Sequence, residues 1–518
     1  MTDRPQFHFA YRRSPDQDRP THHDVVVVGA GPVGLTLAID LAQRGQRVVL
    51  LDDADRIGEG SRAICFSKRA LEVWDRLGAA AAMLAKGVQW RVGKVFLGNE
   101  QVYRFDLLAE AGHKMPAFIN LQQYYAEAFL VARAGELPGV DLRWKNRVTG
   151  VADRGDHVAV TVETPEGTYP LTSSYVVACD GARSAVRGML GASFVGEMFE
   201  DQFLIADVKM QAAFPTERWF WFDPPFHCGQ AALLHTQPDD VWRIDLQLGR
   251  DADPEIERRP ERVRPRIERM LGHGDFTFEW ISLYRFQCRR MERFVHGRVI
   301  FAGDAAHQVS PFGARGANSG VEDAENLAWK LDLILRGGPA GLLDSYDSER
   351  IHAADDNILN STRATDFIAP HSDYERMLRN TTLHLARGHE VGKRMVNAGR
   401  LSQPSVYASP LSTPDADIWS AGPPPGAHLR DVPLGDGFLT DAFRVAGCGF
   451  TIVRHGDGPE LPGAATIDAA RSPLFAGRYG ANPGDAYLLR PDGYVAGRFR
   501  AADTERLPAA LARARGGA

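Results

Sequence analysis

A glycine-rich turn between a short apolar strand and an apolar helix constrains this chain more than any other feature. Val25 to Val28 form a β-branched run, and the apolar segment Leu35 to Leu41 reads as a helix that packs on that strand. Between them, Gly29 permits a tight turn, Gly31 allows close approach of the backbone, and Gly34 lets helix and strand pack closely. Because a helix N-terminus offers free N–H groups and a partial positive charge, this arrangement predicts a phosphate-binding turn.

The next predicted strand, Arg47 to Leu51, ends at an acidic residue. Asp52 follows it directly, and Asp53 is the neighbouring alternative. A carboxylate at this position accepts hydrogen bonds from ribose hydroxyls, which favours a dinucleotide with a free 2′-OH. These residues alone do not distinguish NAD from FAD.

A Gly-Asp pair and a second glycine-rich turn stand much later in the chain. Arg298 to Ala302 form an apolar strand, and Gly303 and Asp304 follow at its carboxyl end, where open α/β sheets place ligands. The turn that follows contains Gly316, Ala317 and Asn318 and leads into a predicted helix, so it presents the N–H groups of a helix start to a ligand. Reduced flavin carries negative charge around N1 and the C2 carbonyl, so such N–H groups suit flavin better than nicotinamide.

Asp180 and Gly181 add a third motif between these two. With the glycine turn, the Asp-Gly pair and the Gly-Asp pair in this order, the sequence resembles the group A flavoprotein aromatic monooxygenases. That family includes para-hydroxybenzoate hydroxylase and phenol hydroxylase, and the chain is most similar to its 3-(3-hydroxyphenyl)propionate hydroxylase branch. The resemblance runs through most of the chain.

The resemblance implies that the chain binds FAD and uses NADH or NADPH as a transient co-substrate. It adds Arg62 and Gln123 to the residues that contact FAD, and it gives Asp180 a part in both flavin and NAD(P)H recognition. Gln122 is adjacent to Gln123, and only the four-residue spacing to Glu127 favours Gln123.

The implied reaction is hydroxylation of a phenolic or other aromatic small molecule by O₂ through a flavin C4a-hydroperoxide. Pro311 begins a segment that would line the oxygen side of the flavin. A phenol must lose its proton to react, so we expect a nearby base or hydrogen-bond acceptor. His227 and Tyr284 are the candidates, and for each the alternative is a side chain whose hydrogen bonds are satisfied locally.

Candidate substrate residues lie in an aromatic patch and in the second glycine-rich turn. Trp219, Trp221 and Phe222 could stack on a planar substrate, and the alternative is that they form ordinary sheet core. Arg315 stands where the resembling family commonly has a glycine or a small polar residue. It would face either a substrate anion or solvent.

Two other functions remain open. Flavin-dependent halogenases carry a Trp-x-Trp-x-Ile-Pro motif, and the segment from Trp219 to Pro224 is similar, although Asp223 replaces the isoleucine. A flavin-binding protein without turnover, such as a sensor, is the third hypothesis.

The predicted fold is α/β, with a Rossmann-like FAD-binding domain, an inserted, mainly antiparallel substrate sheet and a C-terminal thioredoxin-like domain. We expect the last domain to give structural support or a homodimer contact, since Cys448 alone does not support redox exchange. The expected ranges are 1–22 for a polar arm, 23–195 and 290–355 for the FAD-binding domain, 196–289 for the sheet, 356–405 for a helical segment and linker, and 406–518 for the thioredoxin-like domain.

Composition excludes several other classes. A chain of 518 residues can bury a large core, and its net charge of −6 gives no basic surface for nucleic acid. None of the five cysteines forms a Cys-x-x-Cys pair, which argues against a structural metal and suits a reducing cytoplasm. The sequence also shows no export signal and no stretch apolar enough to span a membrane.

Overall fold

The computed structural model describes residues 7–58, 60, 62–249, 251–396 and 401–517, and for 197–201 it describes the backbone alone. The strands are, in chain order, β1 (His22–Val28), β2 (Val48–Leu51), β3 (Cys65–Ser67), β4 (Val88–Trp90), β5 (Val92–Leu97), β6 (Glu100–Asp106), β7 (Phe118–Asn120), β8 (Val140–Arg143), β9 (Arg147–Asp153), β10 (Val158–Thr164), β11 (Gly167–Ala178), β12 (Phe194–Lys209), β13 (Arg218–Phe222), β14 (Ala231–Thr236), β15 (Val241–Leu248), β16 (Thr277–Met291), β17 (Val295–His296), β18 (Val299–Phe301), β19 (His307–Gln308), β20 (Pro433–Leu434), β21 (Gly437–Phe438), β22 (Thr451–Arg454), β23 (Ala465–Asp468), β24 (Ala486–Leu489) and β25 (Val495–Phe499).

The helices are, in chain order, α1 (Pro32–Gln43), α2 (Lys68–Leu77), α3 (Ala80–Lys86), α4 (Gln123–Gly135), α5 (Ala185–Met189), α6 (Pro254–Glu257), α7 (Pro260–Leu271), α8 (Gly316–Leu335), α9 (Leu342–Ile368), α10 (Asp373–Ala386), α11 (Glu390–Met395), α12 (Leu439–Val445), α13 (Phe475–Tyr479) and α14 (Leu507–Ala514). None of the helices in the described part of the chain combines the length and hydrophobicity that a membrane-spanning helix requires.

The first sheet is the Rossmann-like sheet that the sequence predicts. Its strand order is β17-β18-β11-β1-β2-β8, and β1 runs parallel to both β2 and β11. The valines of β1 are buried on both faces, as a central parallel strand requires. Because β1, β11 and β18 end at the same edge, the three sequence motifs that follow these strands meet there.

The second sheet is the mainly antiparallel substrate sheet, in the order β19-β16-β12-β15-β14-β13-β5-β6. Its extent corrects the predicted domain boundaries. β5 and β6 lie within 23–195 yet join this sheet through the pairing of β5 with β13, and β12 and β16 cross the boundaries drawn at 195 and 289. Strand pairing joins segments that are distant in the sequence. The positions of the cofactor motifs along the chain therefore could not predict these domain boundaries.

The C-terminal part forms a separate four-stranded sheet in the order β23-β22-β24-β25. β22 runs parallel to β23 and antiparallel to β24, which in turn is antiparallel to β25. This mixed order confirms the predicted thioredoxin-like topology, although residues 455–464 between the two parallel strands form no helix. Cys448 is a free, buried thiol.

The polar arm and the linker region are both ordered where they are described. In the arm, Phe9 stacks on Trp144 with ring centroids 4.5 Å apart, and Asp16 forms a 2.6 Å ion pair with Arg143. The arm therefore lies on the FAD-binding domain, while residues 1–6 are outside the described residues. After 355 the chain continues as the rest of α9 and as α10 and α11, and residues 397–400 are again outside the described range.

Candidate functional site

The glycine turn after β1 has the geometry that its sequence predicts. Gly29 has a φ of +104°, and a Cβ atom there would lie 2.5 Å from the Cys179 carbonyl oxygen. A Cβ on Gly34 would lie 1.9 Å from the Gly29 carbonyl oxygen, so helix and strand could not pack as they do. A Cβ on Gly31 would meet no protein atom within 4 Å. Gly31 therefore faces open space at the start of α1.

Asp52 lies at the end of β2 and braces this turn. One carboxylate oxygen accepts a 2.7 Å hydrogen bond from the Ala30 N–H, and the other accepts a 2.9 Å bond from the Ala54 N–H. Each oxygen keeps a second lone pair for a ligand hydroxyl. The neighbouring Asp53 is exposed.

Asp180 presents a carboxylate oxygen without a partner. Its Oδ2 accepts a 3.1 Å hydrogen bond from the Val186 N–H. Its Oδ1 is buried and makes no hydrogen bond to any residue that the structure describes. Because a buried carboxylate oxygen without a donor is unfavourable, Asp180 is ready to accept a hydrogen bond from a bound molecule.

Asp304 follows β18 and faces the same space. Its side chain is solvent-accessible although protein atoms crowd it, as at the floor of a cleft. These surroundings raise the pKa of Asp304, and the positive charges of His307 and Arg62 oppose that shift. Within the described ranges, its carboxylate makes no hydrogen bond, so both oxygens are free for hydroxyl groups of a ligand.

The N-terminus of α8 points at this space. The first bond along the helix runs from the Ser319 N–H to the Arg315 carbonyl oxygen, at 2.8 Å. The preceding N–H groups, those of Gly316, Ala317 and Asn318, have no earlier helical carbonyl to bond. The Asn318 side chain instead bonds the Ser67 N–H at 2.9 Å and fixes the helix against β3. Asn318 thus offers its backbone, not its side chain.

Gln123 and Glu127 hold the loop that carries Arg62. Gln123 accepts a 3.1 Å hydrogen bond from the Ala63 N–H and donates a 2.7 Å bond to Glu127, which also accepts from the Gly58 N–H at 2.8 Å. Burial raises the pKa of Glu127. Glu127 was not predicted to have this role, although its four-residue spacing from Gln123 was the available signal. The adjacent Gln122 points elsewhere and bonds the Pro238 carbonyl oxygen.

A fully buried ionic cluster behind the Gly-Asp pair was not predicted. Asp323 accepts hydrogen bonds from the Gly303 N–H at 2.8 Å, from His307 at 2.7 Å and from Arg350 at 2.5 Å. Although burial opposes it, the positive charges of His307 and Arg350 hold the pKa of Asp323 well below its usual range. Arg350 also donates to the Tyr407 hydroxyl. The cluster fixes the turn on which Asp304 sits.

A mainly apolar cavity lies between the substrate sheet, α9 and the turn before α8. It is lined by Phe105, Arg218, Phe220, Phe222, Phe312, Gly313, Arg315, Asn360, Ala364, Phe367, Ile368 and Leu401. The predicted substrate residues Phe222 and Arg315 are among them. The segment from Phe312 to Arg315 leads directly into α8, so the cavity and the helix N-terminus adjoin.

Trp219 and Trp221, which were predicted to contact substrate, do not line this cavity. Side chains alternate along β13, so Phe220 and Phe222 face the cavity while both tryptophans face the opposite side. There they join the apolar core between the sheet and α7. The segment that resembles the halogenase motif therefore contributes its tryptophans to core packing.

None of the three predicted catalytic residues lines the cavity. His227 is 2.6 Å from the Gln247 carbonyl oxygen, burial lowers its pKa, and it does not line the cavity. Tyr284 packs against the aromatic cluster beside the cavity without lining it. Pro311 is exposed, and its carbonyl oxygen accepts a 3.0 Å hydrogen bond from the Ala314 N–H.

The site-facing surface of the substrate sheet carries a polar row along β15. Arg243 pairs with Asp207 at 3.0 Å and donates a 2.9 Å hydrogen bond to the Arg62 carbonyl oxygen. Asp245, two residues on, has a buried Oδ1 with no hydrogen-bond partner among the described residues. Burial raises the pKa of Asp245 to about 6, against the opposing charge of Arg243.

This pKa predicts a pH-dependent penalty on stability. In the folded state Asp245 keeps its proton up to about pH 6, whereas in the unfolded chain it has the ordinary aspartate pKa of 3.8. Stability is therefore lost as the pH rises between these values. We expect Asp245→Asn to unfold at higher urea than wild type at pH 7, with a gain of roughly 1–2 kcal/mol, and to match it near pH 4. The exposed Asp240→Asn is the control, and an equal gain at both pH values would contradict this origin.

These features fit the flavin dinucleotide that the sequence motifs imply. Gly31 leaves room for a pyrophosphate at the start of α1, and Asp180 has an unpartnered oxygen. Asp304 faces open space where a ribityl chain would need an acceptor, and the N-terminus of α8 suits an anionic ring edge. The residues that would hold it come from the ends of β1, β2, β11 and β18 and from the start of α8.

Comparisons with known proteins also indicate a site for FAD. A family model described as FAD binding domain matches residues 22–361. The 6-methylpretetramide 4-monooxygenase of Streptomyces rimosus is 33% identical over 543 residues, covering 96% of this chain and 94% of that enzyme. The 3-(3-hydroxy-phenyl)propionate/3-hydroxycinnamic acid hydroxylase of Mycolicibacterium smegmatis is 28% identical over 445 residues, covering 84% of this chain and 77% of that enzyme.

The solved structure of the OxyS anhydrotetracycline hydroxylase from Streptomyces rimosus superimposes with a TM-score of 0.73 at 26% identity, covering 95% of this chain and 99% of that one. The shared fold thus extends through the C-terminal domain. Together with the family match, these similarities confirm the resemblance drawn from the three motifs. The chain belongs to the FAD-binding family of flavin-dependent monooxygenases.

Proposed function

We propose that this protein hydroxylates a phenolic or other aromatic small molecule, using FAD, NADH or NADPH, and O₂. The observation that carries the proposal is the continuity of the aromatic cavity with the start of α8 through Phe312, Gly313 and Arg315. A planar ring in the cavity would lie next to a flavin held at that helix. Bound FAD would supply hydride acceptance and oxygen activation, chemistry that side chains cannot supply.

The protein's own part is positioning and exclusion of water. Phe220, Phe222 and Phe312 are buried and give the cavity apolar walls, so water is kept from the reacting atoms. Asp323 and Arg350 fix the Gly-Asp turn, and Gln123 with Glu127 fixes the loop of Arg62. The chain carries one glycine fingerprint, which is why the nicotinamide is proposed to bind only transiently.

The test is consumption of reduced nicotinamide by the purified, FAD-loaded protein with a panel of phenols. We expect one or more phenols to stimulate oxidation of NADH or NADPH, and mass spectrometry to find a product heavier by one oxygen atom. A chlorinated product in chloride buffer without an oxygenated one would instead support a halogenase. Oxidation that no aromatic compound stimulates would contradict the proposal.

Asp304→Ala should purify with little or no flavin. Its carboxylate is the acceptor proposed for the ribityl hydroxyls, and loss of such charge-assisted hydrogen bonds should weaken FAD binding roughly ten- to hundredfold. The measurement is the ratio of flavin to protein absorbance, with the exposed Asp436→Ala as control. Full occupancy in Asp304→Ala would refute the assigned role.

A further inference from the structure

Arg218 places a buried positive charge in a cavity whose other walls are mostly apolar. It is the first residue of β13 and shares the cavity face with Phe220 and Phe222. The residue is 9% exposed, and its side chain makes no hydrogen bond or ion pair with any residue that the structure describes. Burying an unpaired guanidinium is unfavourable, so this arrangement calls for a partner that enters the cavity.

The nearby charges do not neutralise it. Burial lowers the pKa of Arg218, and Cys65 and Asp245 oppose that shift from a distance too long for an ion pair. Asp207 is already paired with Arg243. The other cavity arginine, Arg315, donates a 3.0 Å hydrogen bond to Asn357. Of the two cavity arginines, Arg218 is therefore the one that makes no hydrogen bond to a described residue.

We propose that Arg218 binds an anionic oxygen of the aromatic substrate, either a carboxylate or an ionised hydroxyl group. This deepens the proposed function and rests on it, since the same cavity is taken to hold the reacting ring. A guanidinium presents paired N–H donors that match a carboxylate in two parallel hydrogen bonds and also bind a single phenolate oxygen. The class of substrate would then be an aromatic acid or an acidic phenol.

The cavity geometry gives this contact a role in orientation. Apart from Arg218, Arg315 and Asn360, the side chains that line the cavity are apolar. Among the cavity residues that the structure describes, Arg218 is a buried cation with no hydrogen bond or ion pair, so a charged oxygen on a bound ring would bind there. Arg218 would thus set which edge of the ring points away from it and toward the start of α8.

The test compares ligands that differ in charge and little in shape. Binding to the FAD-loaded protein is measured by calorimetry for 3-hydroxybenzoate against 3-hydroxybenzamide, for 1-hydroxy-2-naphthoate against 1-hydroxy-2-naphthamide, and for 4-nitrophenol against 4-nitroanisole. The first two pairs test a carboxylate and the third an ionised hydroxyl. We expect wild type to prefer the anionic member of at least one pair by roughly tenfold or more.

Variants of Arg218 test whether its guanidinium causes the preference for the anionic ligand. Arg218→Met should reduce it to near unity while binding of the neutral member changes little, and Arg218→Lys should keep part of it. Arg104→Met, an exposed arginine on β6 of the same sheet, should behave as wild type. A preference that survives in Arg218→Met, or no preference in wild type for any pair, would overturn the proposal. Loss of FAD affinity in Arg218→Met would also overturn the proposal, since Arg218 would then contribute to binding the flavin.

These outcomes separate this proposal from the proposed function, because binding is measured without turnover. Selective binding of anionic ligands by a protein that hydroxylates no aromatic compound would contradict the proposed function alone. Hydroxylation of neutral phenols without any charge preference would contradict the role of Arg218 alone.

Discussion

Gly31→Val should give a folded chain that no longer retains FAD. A Cβ at this position meets no protein atom within 4 Å, and its φ of −76° is accessible to valine. We therefore expect the apoprotein to unfold within about 1 kcal/mol of wild type. The added side chain occupies the space of the pyrophosphate, so FAD affinity should fall roughly a thousandfold or more.

Two further glycine variants serve as controls for Gly31→Val. Gly34→Ala places a methyl group 1.9 Å from the Gly29 carbonyl oxygen, so it should fail to fold stably whether or not FAD is present. Gly135→Val, at the end of α4, also enters open space and should bind FAD as wild type does. Flavin fluorescence quenching measures the affinities. A Gly31→Val protein with wild-type FAD affinity would show that no phosphate lies at the start of α1.

Glu349→Gln should destabilise the protein by about 3–5 kcal/mol, as expected when one member of a buried ion pair is removed. Glu349 on α9 bonds Arg490 of the C-terminal domain at 2.6 and 3.0 Å and Lys330 of α8 at 2.9 Å. All three side chains are almost fully buried. Burial lowers the pKa of Lys330 to about 8, with Glu349 opposing the shift. The neutral amide would leave Lys330 without its ionic partner.

Urea unfolding followed by circular dichroism measures this effect. The control is Glu460→Gln, which removes the charge of a mostly exposed glutamate 3.8 Å from Arg454 and should change stability by less than about 1 kcal/mol. Equal urea midpoints for Glu349→Gln and wild type would contradict the view that the bonds of Glu349 to Arg490 and Lys330 stabilise the contact of the C-terminal domain with α8 and α9.

The parts of the site that follow local rules were predictable from the sequence. The glycine turn, Asp52 and the Gly-Asp pair each sit at the end of a strand or the start of a helix, where backbone geometry dictates residue type. The pairing of Gln123 with Glu127 depends on spacing along one helix. Such features need only a few neighbouring residues to be recognised.

The rest depends on contacts between distant segments. Glu349 and Arg490 are 141 residues apart, and the pairing of β5 with β13 joins parts of the chain on either side of the Asp-Gly motif. The two faces of β13 could have been predicted from the sequence, because side chains alternate along a strand. This alternation places Arg218, Phe220 and Phe222 on one face and the two tryptophans on the other. Aromatic content alone does not distinguish the two faces of the strand, since both carry aromatic side chains.

Whether the cavity and the flavin cleft form one site can be measured by the absorbance spectrum of the bound flavin during titration with an aromatic ligand. If the cavity and the cleft of the three motifs form one site, a phenol from the panel should change the flavin spectrum in a saturable way. Ala364→Trp, which fills the cavity from α9, should abolish that change without loss of FAD. If no aromatic compound alters the flavin spectrum of the fully FAD-loaded protein, the cavity and the flavin cleft do not form one site.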